Sequence, residues 1–243
     1  MKEEKEYTLV EENDHIEQRA SIIYSPPQEK EPILPQIISF VLNPVFMVIY
    51  SVAIIFLSTD FTFLFANQFI RFMTPVIFFS CIIPVSGIYF LRLTHVIKDY
   101  HLDNRSEWIL PLSVFFLSYA LLFYYFFSAK LYIWFLAVIL TPLILLVIYA
   151  IISRFWKISA YMMAIGGMIG CILSVCYNIK GLNLPVLFMI LFILAGCLGV
   201  SRLMLNRSTP AQVYVGFLIG SVVSYLWVYI GTYWSLILFL RNL

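Results

Sequence analysis

Two arginines and three hydroxyls fall within the twelve residues Ser201-Arg202-Leu203-Met204-Leu205-Asn206-Arg207-Ser208-Thr209-Pro210-Ala211-Gln212, where the chain passes from one long apolar run into another. Guanidinium groups and hydroxyls are the side chains that recognise phosphate oxygens. Thr209-Pro210 reads as a helix start, a capping hydroxyl followed by proline in the first turn, and a helix N-terminus beside fixed cations forms an anion site. Two other polar turns carry residues of the same kind, Lys98 and Arg105 in one and Ser159 just beyond the other. The competing reading is a set of turns whose basic residues mark the edge of a membrane.

The elements that must position these residues are apolar. The chain has 243 residues, 62% of them hydrophobic and 12% charged. Its mean hydropathy is +0.94, which excludes a soluble globular domain and makes this an integral membrane protein. The net charge of +2 hides a segregation: nine of the thirteen acids lie in residues 1–35, and none follows Glu107. Paired-carboxylate catalysis and carboxylate-held metals are therefore excluded from the second half of the chain. The histidines are His15, His95 and His101, and the four cysteines sit inside apolar runs without zinc or redox spacing. No metal and no cofactor is expected, and nothing in the charge pattern invites nucleic acid.

Residues 1–35 are acidic and contain four prolines near their end. Their composition predicts a disordered tail, a candidate protein-binding element, with no signal peptide in its first fifteen residues. Residues 36–243 read as a membrane-embedded, all-α domain of about seven transmembrane helices. The expected spans are 36–58, bent at Asn43-Pro44, then 73–91, 109–128, 132–152, 158–177, 184–200 and a last run over 211–240. That last run exceeds one crossing, so a tilt, a break near Gly231 or an interfacial end is expected. Gly166/Gly170 and Gly216/Gly220/Ser224 are small residues four apart, a pattern that lets helices pack closely.

Seven crossings put the turns at 92–108, 153–157 and 201–210 on one face with the N-terminal tail. That face carries seven of these loop cations, Arg92, Lys98, Arg105, Arg154, Lys157, Arg202 and Arg207, against Arg71, Lys130 and Lys180 on the other. The positive-inside rule makes the basic face cytoplasmic, unless its cations serve an anion.

The three basic turns resemble the signatures of the type 2 phosphatidic acid phosphatases, which read lysine, six residues, Arg-Pro; Pro-Ser-Gly-His; and Ser-Arg, five residues, His, three residues, Asp. Here they stand as Lys98, six residues, Arg105-Ser106; Ile158-Ser159-Ala160-Tyr161; and Ser201-Arg202, five residues, Ser208, three residues, Gln212. Gly216 falls where the family often has a glycine in the following helix, and the resemblance spans roughly residues 75–225. It implies a six-helix lipid phosphatase-like core plus one helix in a bacterial inner membrane, with the pocket on the outer face, opposite to the charge rule. It also implies phosphate binding by Lys98, Arg105, Ser159 and Arg202, with a phospholipid or polyprenyl phosphate as ligand within the lipid bilayer.

The departures fall on the catalytic half. The family's nucleophilic histidine, its orienting aspartate and its acid histidine correspond to Ser208, Gln212 and Tyr161. A hydroxyl without a nearby base is a poor nucleophile, and glutamine cannot stabilise a developing cation. The expectation is a lipid-phosphate binder with phosphatase activity lost or much reduced. The alternatives are an active phosphatase with a nonstandard nucleophile, drawing on His95 or His101, and a membrane scaffold that works through residues 1–35. Ser208 also reads as a plain helix cap, Tyr161 as a packing aromatic, and Lys98 and Arg105 as partners of Asp99, Asp103 or Glu107. A transporter is disfavoured because ionisable residues are absent from the middle of nearly every span.

Overall fold

In the computed structural model the described residues are 32–58, 68–93, 109–181 and 184–241, and they contain helices and no strand. In chain order the helices are α1 (Ile33–Val41), α2 (Pro44–Ser58), α3 (Phe69–Ile77), α4 (Ile83–Leu93), α5 (Ile109–Ser128), α6 (Ile133–Ser153), α7 (Ala160–Ser174), α8 (Pro185–Met204) and α9 (Pro210–Arg241). A π-helical turn, Phe78–Ile82, joins α3 to α4, and another, Val175–Lys180, ends α7. Six helices are long and apolar enough to cross a membrane, or seven if α1 and α2 count as one span. The all-α membrane architecture read from composition is thus present. The tail expected over 1–35 lies outside the described residues up to Glu31, and α1 begins at Ile33.

The bend at Asn43-Pro44 is there, with α1 and α2 meeting at 56°. Proline cannot donate to the preceding turn, and the Asn43 side-chain oxygen accepts the Val45 N–H at 3.1 Å, so one helix ends and a capped one begins. The long last run is one continuous helix. Gly231 does not break it; an added methyl there would lie 2.7 Å from the Ala137 methyl, so this glycine marks close packing on α6.

The central element is α7, whose span is 72% buried against 22 to 33% for the other five. Small residues explain why. A Cβ on Gly166, Gly170 or Gly220 would strike the backbone oxygen of Phe217, Ser221 or Met163 respectively, and one on Gly216 would come within 2.9 Å of the Ser159 oxygen. The contacts advance together along both helices, so α7 and α9 run parallel with their backbones nearly touching. Lipid tails are as apolar as leucine, so van der Waals contact of this kind, rather than hydrophobic burial, holds such a pair. An aromatic cluster lies where α2, α3, α5 and α6 meet, with Phe126 stacked on Phe72 at 6.2 Å and Phe135 edge-on to Phe126 at 5.4 Å.

Candidate functional site

The end of the bundle that carries the candidate site is formed by the starts of α2, α7 and α9 and the end of α8. Local chemistry sets each boundary. Asn206 adopts a left-handed conformation with φ 51°, the Asn206 N–H reaches the Leu203 oxygen at 3.0 Å, and the Arg207 N–H reaches the Arg202 oxygen at 3.2 Å. These are the paired bonds of a Schellman motif, with asparagine taking the place usually held by glycine. Three residues later Thr209 opens α9. Its N–H is accepted by the Gln212 side-chain oxygen at 3.1 Å, the reciprocal half of a capping box with Pro210 at the first helical position. Ser201 donates its hydroxyl to the Cys197 oxygen at 2.7 Å, one turn back along α8.

These turns deliver the residues singled out in the sequence to two adjacent places. In the first, the Arg202 guanidinium stacks on the Tyr161 ring, 4.1 Å from its centroid. The Tyr161 hydroxyl accepts a long hydrogen bond, 3.4 Å, from the Asn43 amide. Arg202 is half-buried, and its Nε has no hydrogen-bond partner among the described residues. Ser159 precedes α7 as its N-cap residue, only 4% exposed, yet its hydroxyl makes no capping bond and is likewise unpartnered. In the second, Ser208 and Gln212 line a shallow polar hollow with Lys157, Arg207 and Thr209. Lys98 and Arg105, with His95 and His101, lie outside the described residues.

Gln212 therefore has a structural duty, and a glutamine three residues after a threonine is the sequence signal for it. Asn43 had no such signal, since it meets Tyr161 from 118 positions away. Lys157 was visible as a loop cation but had no spacing that tied it to Ser208.

The described residues contain no Asp, Glu or His. Among the described residues, an aromatic face and the carbonyl end of α8 compensate the half-buried Arg202 guanidinium, interactions of about 0.5–2 kcal/mol each. Desolvated charge of that kind favours an anion. The hydroxyls of Ser159, Ser208 and Thr209 can donate to its oxygens, while the described residues offer Ser208 neither a histidine nor a carboxylate as base. Comparison of the chain with protein-family models, with curated proteins and with solved structures finds no match.

Proposed function

We propose that this helical unit binds a phosphorylated lipid, a phospholipid or a polyprenyl phosphate, and that it does so without the hydrolytic cycle of the phosphatases whose signatures it resembles. The observation that carries the reading is Arg202, half-buried, stacked on Tyr161 and with an unpartnered Nε in a bundle whose described residues include no carboxylate. Ser159 adds a buried donor without a partner at the start of α7. Both are residues that the resemblance assigns to phosphate, and both belong to the part of the signatures this chain retains.

Loss of turnover follows from the residues at the reactive positions. Ser208 has neither a histidine nor a carboxylate among the described residues, Gln212 is bonded to the Thr209 N–H, and Tyr161 lies beneath a guanidinium. The test is phosphate release by the purified full chain from phosphatidic acid, phosphatidylglycerol phosphate and a polyprenyl diphosphate. Release at the level of the buffer blank, unchanged in Arg202→Ala, is expected. Release that disappears in Arg202→Ala would overturn the noncatalytic reading and direct attention to Ser208, His95 and His101.

A further inference from the structure

A cavity open along one side lies among α2, α5, α6 and α7. Val48, Phe115, Val138, Leu145, Ala164 and Met168 make most of its wall apolar. Thr141, a polar residue of the wall, turns its hydroxyl back to the Ala137 oxygen at 2.9 Å. The cavity also accounts for the gap in the burial of α7. From Ala160 to Ile172 the residues of that helix are buried except Ala160, Tyr161 and Ala164, and all three line the cavity. Asn43 and Tyr161 stand at one end, and Tyr161 is the residue on which Arg202 stacks.

Depth and charge point to the occupant. On α7 the lining runs from Ala160 to Cys171, which at 1.5 Å per residue is ~16 Å of helix. One leaflet of a bilayer contributes roughly 15 Å of hydrocarbon, half of a core of about 30 Å. A lipid lying in the cavity with its head at the Arg202 end therefore has its chains over the depth they occupy in a leaflet. The walls are membrane helices, so the open side admits the chains from the bilayer without a passage through water. That transfer gains no hydrophobic free energy, because lipid tails are as apolar as the leucine and valine side chains of the wall. Which lipid stays is then decided at the polar end, where a half-buried guanidinium favours an anionic head.

We propose that this cavity is the hydrocarbon seat of the bound lipid phosphate: the chains enter through its open side and lie against α7 while the phosphate is held at Arg202. The inference rests on the phosphate-binding reading and deepens it, because it places the hydrocarbon inside the bundle rather than on its outer surface. The experiment photolabels the full chain in mixed micelles with a phosphatidate that carries a diazirine halfway along its chains, and locates the labelled residues by peptide mass spectrometry. A diacylglycerol with the same chains is the neutral probe. Phosphatidate label should fall between Val48 and Val52 on α2 and between Ala164 and Met168 on α7, and excess dioleoyl phosphatidate should displace it. Diacylglycerol should label these residues about tenfold less, and Arg202→Met should lower the phosphatidate label by a similar factor, as expected for a lost charged hydrogen bond.

Ala164→Phe should fill the cavity from α7 and displace the label. Ser51→Leu, which fills it from α2, should do the same, so the test does not hang on one variant folding. Displaceable label confined to outward-facing residues such as Met189 and Phe192 of α8 would overturn the proposal and leave the phosphate reading standing. Cavity label that persists in either folded variant would also overturn it. The phosphate reading fails separately: equal cavity label from phosphatidate and diacylglycerol, unchanged in Arg202→Met, would show a cavity filled by any lipid and remove the phosphate.

Discussion

Replacing Gly220 by alanine places a methyl group against the α7 backbone. Its Cβ would meet the Met163 oxygen, with the Met163 carbonyl carbon at 2.9 Å and the Gly167 nitrogen at 3.0 Å. All three are main-chain atoms of the central helix, so none can rotate aside, and relief requires α9 to slide or separate from α7. Overpacking of this kind costs about 1–3 kcal/mol. Helix propensity acts in the opposite direction, since alanine is favoured over glycine by ~0.8–1.0 kcal/mol in a helix interior. The net expectation is a loss of up to about 2 kcal/mol. Gly196 supplies the control, because it lies inside α8 and an added Cβ there meets nothing within 4 Å. Gly196→Ala keeps the propensity gain without the clash and should stabilise by up to ~1 kcal/mol. Unfolding titrations in mixed micelles, followed by circular dichroism, measure both variants. Gly220→Ala as stable as Gly196→Ala would refute the account of the α7–α9 contact, because the propensity gain is common to both and the clash alone should separate them by about 1–3 kcal/mol.

Two further substitutions separate structural from chemical duties at the site. Gln212→Ala removes the acceptor of the Thr209 N–H and should cost ~0.5–1.5 kcal/mol in the same titration, whereas Gln212→Glu preserves the capping box and should be neutral or better. An equal loss in both would show that Gln212 does something other than cap α9. Tyr161→Phe keeps the ring beneath Arg202 and gives up only the long bond from Asn43, so lipid-phosphate affinity should change less than twofold. Tyr161→Ala removes a stack worth about 0.5–2 kcal/mol and should weaken binding measurably. Binding assays in which the phenylalanine variant fails as badly as the alanine variant would contradict the stacking role.

Spans, the break at Asn43-Pro44 and the small-residue ladders were legible in the sequence because each rests on local chemistry. An apolar run of about twenty residues must be helical in a bilayer, proline must interrupt its preceding turn, and glycines four apart must share a helix face. Arg202 and Ser159 were legible as a cation and a hydroxyl beside polar turns and Tyr161 only through resemblance, and the structure gathers them at one end of the bundle while setting Ser208 and Gln212 in a neighbouring hollow. The Asn43 contact and the cavity among α2, α5, α6 and α7 were not legible, because they arise from how distant helices meet. The π-helical turns within the second and fifth expected spans also left no pattern to read. Gly231 shows the opposite failure: a residue that locally permits a break sits in an unbroken helix because it packs against Ala137.

The central claim is that Arg202 holds a phosphate, and Arg202→Met tests it most directly. Methionine keeps an apolar stem beside Tyr161 and removes a half-buried cation that lacks a carboxylate partner among the described residues, a change that often stabilises. The measurement is the affinity of purified protein for dihexanoyl phosphatidate, whose short chains reduce the part played by the cavity, read beside unfolding without lipid. The account predicts a variant that unfolds no more easily than the unaltered protein and binds about tenfold to a hundredfold more weakly, as expected for a lost charged hydrogen bond. A folded Arg202→Met that binds dihexanoyl phosphatidate as tightly as the unaltered protein would contradict it.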